Sequence, residues 1–360
     1  MIGQFDFSEK GWVSGKGRSA VWRDIPFEEK IIEPQFLMSY ADYVSATDKN
    51  GNPKTARGLK PCYMDVGSAT NSRAMISSAV WDFPCGNKVP LLIPNKGEAA
   101  GIALVACLDS FVFDYAIRNR LGGLTINYFI AEESPLPPLH NVPKQLVEAA
   151  FSLISAGNPI YSPVLESLAR TDVRAAISAH ERTRLRVIID AALFAIAGLD
   201  WEGACHILKD CDLPVDQLSG DAAKGLNPKG FWRLGKGLPP ELRHTVLSLV
   251  AFHDLQERGL EAFLAQNDGE GWMLPEQLRL ADYGLGHDDR AQEYQPVASR
   301  MGPRFYEWQL KEDVERSWQE CAAHAQLIRR IVPLPQPLQA DGIAEAQATY
   351  KTESPQGALF

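Results

Sequence analysis

An α+β fold is predicted by three observations. Short strand-like runs broken by Gly and Pro extend to residue 95, apolar residues stand three or four apart through much of 144–259, and a proline-rich connector separates the two regions. The connector, Ser134–Pro143, holds four prolines. The expected organisation is a loop-rich linker over 1–45, a small mixed α/β domain over 46–140 and a mainly helical domain over 141–330. A tail over 331–360, with Pro, Gln and Ala prominent and few large apolar groups, is expected to be disordered.

In chain order, Ile31–Ile32 and Phe36–Tyr40 read as short extended runs. Asp48–Pro53 (DKNGNP) reads as a tight turn, because Asn50 and Gly51 tolerate positive φ and Pro53 blocks helix propagation. Residues 60–95 alternate strand-like runs with breakers. Ala99–Arg120 reads as one helix, with Ile102, Val105, Ala106, Asp109, Phe113 and Ala116 at helical spacing and Gly122-Gly123 as its C-cap. Thr125–Ala131 returns to an extended run. Helices then follow at Lys144–Ser155, Val164–Leu168, Asp172–Leu199, Trp201–Lys209, Pro239–Gly259 and Asp313–Ile331.

A chain of 360 residues, 45% hydrophobic and 22% charged, buries enough surface for about two domains. It has no apolar run of the roughly 18 residues that a membrane span needs, and Met1–Phe7 lacks a basic-then-apolar leader. A cytoplasmic protein with no membrane partner is expected. The six cysteines are scattered without paired spacing, which suits reduced thiols. A net charge of −9 argues against non-specific adhesion to nucleic acid. Residues 1–140, however, carry 14 Lys+Arg against 15 Asp+Glu, so nearly all the excess lies in 141–360. Lys16, Arg18 and Arg23 form one basic cluster and Lys54, Arg57 and Lys60 another. Each suits either a phosphate backbone or a solvated loop.

Four segments stand out: Thr70–Val80 (TNSRAMISSAV), Cys85–Pro94 (CGNKVPLLIP), Leu108–Arg118 (LDSFVFDYAIR) and Leu121–Phe129 (LGGLTINYF). In this order they resemble the C-terminal target-recognition portion of DNA adenine (N6) methyltransferases from type IIG and DISARM-like restriction-modification or phage-defence systems. Arg182–Cys211 is similar to the helical region after that domain, so the resemblance covers most of residues 1–211. Gly230–Arg233, Gly269–Pro275 and Met301–Leu310 are similar, less specifically, to C-terminal extensions of such methylases. The pattern departs from the family at Asp109, where Asn is commoner, and at Trp81, where Pro often stands.

The family's Gly-rich loop for S-adenosylmethionine and its Asn-Pro-Pro-Tyr-type tetrapeptide are missing. The nearest strings, Asn158-Pro159-Ile160-Tyr161 and Asn227-Pro228-Lys229-Gly230, read as turns. Met1–Phe7 resembles the segment joining methylase and recognition domains, so Met1 is expected to be an internal start. The resemblance thus implies a DNA-recognition part that is not catalytic alone. It carries no cofactor itself, with S-adenosylmethionine held in the complete enzyme. Its partners would be double-stranded DNA and a methylase catalytic domain in cis or trans. A free-standing specificity subunit acting in trans, or a protein-interaction module of a defence operon, are the other readings.

Reading base edges needs matched donor and acceptor pairs, which Arg supplies for guanine and Asn for adenine. On the motifs that carry the resemblance, Asn71, Arg73 and Asn127 are the candidates for base contact, with Thr125 beside them. Arg118, Arg120, Lys60 and Arg18 are the candidates for phosphate. Five of them also have a structural alternative: Asn71 a turn or cap, Arg73 an ion pair with Asp65, Asn127 a backbone bond, and Arg118 and Arg120 compensation of a helix C-terminus. Asp109, Asp114 and Tyr115 read as core positions rather than catalytic groups. No metal is expected. Cys205-His206 with Cys211 lacks a fourth ligand, His253-Asp254 lacks companions, and Asp24, Glu28 and Lys30 match a nuclease pattern only loosely.

Overall fold

The computed structural model describes residues 1–272, apart from 48, 52–57, 169–174, 178, 239 and 270. Within them the chain is α+β. Strands β1 (Lys10–Ser14) and β2 (Val21–Asp24) form an antiparallel hairpin whose register shifts between Trp12 and Ser14. The runs at Ile31–Ile32 and Phe36–Tyr40 form no strand, and the second ends in α1 (Tyr40–Ser45), with the Ser39 side chain accepting from the Asp42 N–H. Strands β3 (Leu59–Tyr63) and β4 (Ser77–Trp81) pair antiparallel, from Leu59 opposite Trp81 to Tyr63 opposite Ser77. Successive side chains of a strand point to opposite faces. All five residues of β3 are buried, so this small sheet is covered on both sides.

Helix α2 (Glu98–Leu108) packs on that sheet, and α3 (Phe111–Arg120) leaves it at a bend of 65°. The single helix expected over Ala99–Arg120 is therefore two. The break has a local cause. Ser110 caps α3, its Oγ accepting from the Phe113 N–H at 3.2 Å and donating to the Cys107 carbonyl at 2.7 Å. Ser110→Ala is expected to cost about 1 kcal/mol in urea unfolding. A loss within error of zero would mean that packing, not the cap, sets the bend.

Leu121, in extended conformation, ends α3, and Gly122 and Gly123 continue as loop rather than as a left-handed cap. The extended run expected over Thr125–Ala131 is extended only at its start, where Thr125 bridges Val66. Asn127 then begins α4 (Tyr128–Glu132).

Beyond the connector, α5 (Lys144–Ser155) has the expected bounds, with Pro143 just before it and Ala156 left-handed just after. Helices α6 (Ser162–Ser167), α7 (Ala179–Ile196), α8 (Trp201–Ile207), α9 (His244–Arg258) and α10 (Leu260–Leu264) follow. Asp200 caps α8 by accepting from the Gly203 N–H at 2.8 Å. The helix expected from Pro239 starts only at His244, because Arg243 is extended. The segment Asp313–Ile331, the tail over 331–360 and positions 48, 52 and 53 of the turn Asp48–Pro53 lie outside the described residues, while Gly51 within that turn has the positive φ, 80°, that the turn asks of it.

One apolar core takes side chains from both sides of the connector. It runs from Ile2, Phe5 and Phe7 through α2, α5, α7 and α9 to Trp272. Phe194 links the layers, stacking on Phe111 at 6.5 Å and meeting Phe252 edge-on at 5.4 Å. A second cluster of Tyr63, Met75, Phe113, Ile117, Leu121 and Ile126 supports the far end of α3. Residues 1–45, expected as a linker, contribute Ile2, Phe5, Phe7, Ile25 and Tyr43 to the interior. No single helix among the described residues is long and apolar enough to cross a membrane.

Candidate nucleic-acid interface

Two of the family-like segments meet at the end of α3. The loop after β3 is joined to the loop after α3 by the Gly67 N–H on the Leu124 carbonyl (3.1 Å) and the Ile126 N–H on the Asp65 carbonyl (2.6 Å). Gly67 is required here, since a Cβ at this position would lie 2.5 Å from the Ala74 carbonyl oxygen. Ile126 is buried in the second cluster and pins its loop from below. What remains outside is Thr70, Asn71 and Ser72 from the first loop and Gly122, Gly123, Thr125 and Asn127 from the second, with the apolar side chains of Val66, Leu124, Tyr128 and Phe129 exposed among them.

The first loop is held by buried charge acting on its backbone. Asp114 accepts from the Ala74 N–H at 3.0 Å and from the Met75 N–H at 3.4 Å, and pairs with the Nε of Arg118 one turn on. Arg118 then donates to the carbonyls of Ala69 (3.2 Å), Asn71 (2.9 Å) and Ser72 (2.8 Å), and also to that of Lys229 (3.1 Å). The guanidinium fork is thereby filled with charge-assisted bonds. Asp109 performs a similar service for the adjoining strand. Its two oxygens accept from the Ser77 N–H at 2.8 Å and the Phe5 N–H at 3.0 Å, tying β4 to the N-terminal segment.

Burial pushes the Asp109 carboxyl up to about 8, against the backbone donors and Arg73, which favour its ionised form. Behind it, Asp190 of α7 accepts from the Phe111 N–H at 2.8 Å, and the Nε2 of His244 lies 2.8 Å from its other oxygen. Burial lowers His244 to about 4, with Asp190 opposing the shift, so the imidazole is neutral at pH 7.

The eight candidate contact residues divide. Asn71, Thr125, Asn127 and Arg120 are exposed around the joined loops. Asn127 starts α4 with no side-chain cap bond. Arg18 is exposed on the β1–β2 loop, outside this pairing. Three are corrected. Arg73, 5% exposed, sits with its guanidinium 3.8 Å above the Phe111 ring, donates to the Asp109 carbonyl, and faces Asp114 and Asp190 at 4.0 and 3.8 Å. Asp65, the neighbour expected to pair with it, instead pairs with Lys88 at 2.8 Å. Arg118, 1% exposed, is the loop's internal clasp, and Lys60, 2% exposed, donates to the Tyr43 hydroxyl and the Phe83 carbonyl. Burial takes all three out of reach of a groove. Their work is to position backbone.

The tetrapeptide strings are turns. Asn158 accepts from the Ile160 N–H and donates to the Lys30 carbonyl, while Tyr161 is buried with its hydroxyl on the Ala79 carbonyl at 2.8 Å. The Asn227 side chain accepts from the Lys229 N–H at 2.9 Å. Neither fits a grip on a flipped base or on S-adenosylmethionine. In the loose nuclease pattern, Lys30 pairs with buried Asp6 and Asp24 with Lys10. His206 meets the Tyr115 hydroxyl at 3.1 Å rather than joining Cys211. His253, Asp254 and Glu257 bring ligand atoms within 4.8 Å of one another on α9, but Asp254 already accepts from the Trp272 indole at 2.8 Å.

The chain matches no family model, no curated protein and no solved structure.

Proposed function

We propose that this chain is the DNA-recognition part of a site-specific, adenine-N6 methyltransferase of a restriction-modification or phage-defence system. The observation that carries the reading is the junction of the two loops. Asn71, Thr125 and Asn127, drawn from separate segments that resemble the family, are exposed on two loops that backbone bonds join, and Arg120 is exposed at the end of the helix leading into the second. Asn amides suit the donor–acceptor edge of adenine, and the open space around Gly122 and Gly123 admits a close backbone approach. Methyl transfer from S-adenosylmethionine belongs to a methylase domain in cis or trans. Extruding a base costs a few kcal/mol, and the contribution of this chain is binding energy from the flanking sequence that offsets it.

Selection of bound duplexes from a random pool tests the reading, using the full chain together with its methylase partner. Asn71→Ala with Asn127→Ala is expected to lower discrimination at one or two base pairs by about 1–3 kcal/mol each, with unfolding unchanged. Unaltered discrimination would remove these residues from base reading. A second reading, a protein-interaction module, is favoured by the apolar run Phe36 (80% exposed), Leu37 (90%) and Met38 (60%). It requires duplex binding to be absent or insensitive to salt.

A further inference from the structure

The same Arg118 nitrogen that donates to the Ala69 and Asn71 carbonyls also donates to the carbonyl of Lys229, so a third loop, far along the chain, is fastened to the first. In a chain of net charge −9, residues 222–238 contain Lys224, Lys229, Arg233 and Lys236 and no Asp or Glu. Lys224 is answered by Asp221 at 2.6 Å and is set aside. Lys229 and Lys236 are exposed, and Arg233 is partly so. Among the described residues, no ion pair to an acidic group engages these three.

The loop is built rather than loose. Phe231 is buried beneath the Arg118 guanidinium at 4.1 Å and against Phe111 edge-on at 5.0 Å. The Trp232 indole donates to the Asn227 carbonyl at 2.8 Å. Arg233 lies 4.1 Å over the Trp232 ring and donates to the Pro228 carbonyl at 2.7 Å. Partial burial, with Arg118 nearby, holds Arg233 below the ordinary arginine range. An anion is the natural complement to such a surface.

We infer that Lys229, Arg233 and Lys236 form a phosphate-binding loop that follows the backbone of the duplex whose bases face Asn71 and Asn127. The inference rests on the DNA-recognition reading and adds to it a second, sequence-independent set of contacts supplied from beyond residue 140. Each phosphate neutralised releases counterions, so each contact steepens the fall of affinity with salt by about 0.9 in the log–log slope.

The test is the affinity of the full chain for a mixed-sequence duplex between 50 and 200 mM NaCl. It compares wild type with Lys229→Ala/Lys236→Ala, side chains that hold nothing in the fold, and with a triple variant adding Arg233→Ala. The double variant is expected to lose about 2 from the slope, which makes its fall in affinity over that range roughly tenfold smaller. Its urea midpoint and base preference should match wild type. The triple variant should lose about 3 from the slope. Salt-dependent binding by wild type with an unchanged slope in both variants would overturn the loop's role and leave the DNA reading intact. An absence of duplex binding by wild type would overturn both.

Discussion

Replacing Arg118 by methionine is expected to destabilise the protein by about 3–5 kcal/mol, the range for removing one partner of a buried ion pair. The loss has two sources. Asp114, buried beside it, keeps its backbone donors and only the more distant Arg73 at 4.0 Å, and carbonyls from Ala69, Asn71, Ser72 and Lys229 lose a charged partner. The methionine stem fills much of the space above Phe231, so the effect reports charge and hydrogen bonding more than a cavity. Urea unfolding gives the magnitude, and amide exchange over residues 68–77 gives the location. Uniform destabilisation with no extra exchange in that loop would mean that Arg118 is not its clasp. Asp114→Asn, which leaves the guanidinium buried with a neutral neighbour, should fall in the same range and loosen the same amides.

The second large effect is on pH dependence. With Asp109 at about 8 in the folded chain against an ordinary 3.8, the native state holds the extra proton between those values, so stability declines as pH rises through that window. His244 works the other way. Lowered from 6.5 to about 4, it binds its proton more readily when unfolded, so stability rises with pH over that interval and is lost as pH falls through 4. The two oppose each other below 6.5, and above it Asp109 acts without His244. Between pH 6.5 and 8, Asp109→Asn should remove a decline of up to about 1.4 kcal/mol per pH unit that wild type shows in urea unfolding. The N-terminal ammonium, which burial lowers from 8.0, adds its own dependence below 8.0 to both proteins, and the difference between them cancels it. Parallel curves for the two proteins would show that Asp109 stays ionised.

Local signals were legible where local physics decides. The α+β class followed from where the apolar spacing changes, and α5 came out at its expected bounds because one amphipathic stripe with a proline at its start leaves little choice. The break between α2 and α3 was hidden because apolar periodicity continues across Asp109-Ser110 even though Ser110 is a capping residue. Asn71, Thr125 and Asn127, expected to contact bases, are exposed. Arg73, Arg118 and Lys60 are not, since burial of a charge depends on partners distant in sequence. Asp190 and Phe111 for Arg73, and Lys229 for Arg118, stand where no spacing rule reaches. An arginine that reads a base and one that braces a loop look alike in a string of letters.

The clasp has a consequence for how such a surface can change. Asp109, Asp114 and Arg118 grip amide hydrogens and carbonyl oxygens, groups that almost every amino acid brings to its position. The outward side chains at positions 71 and 72 are thereby relieved of structural duty. They can be exchanged freely while the scaffold that displays them stays the same, which makes them a replaceable set of characters on a fixed plate.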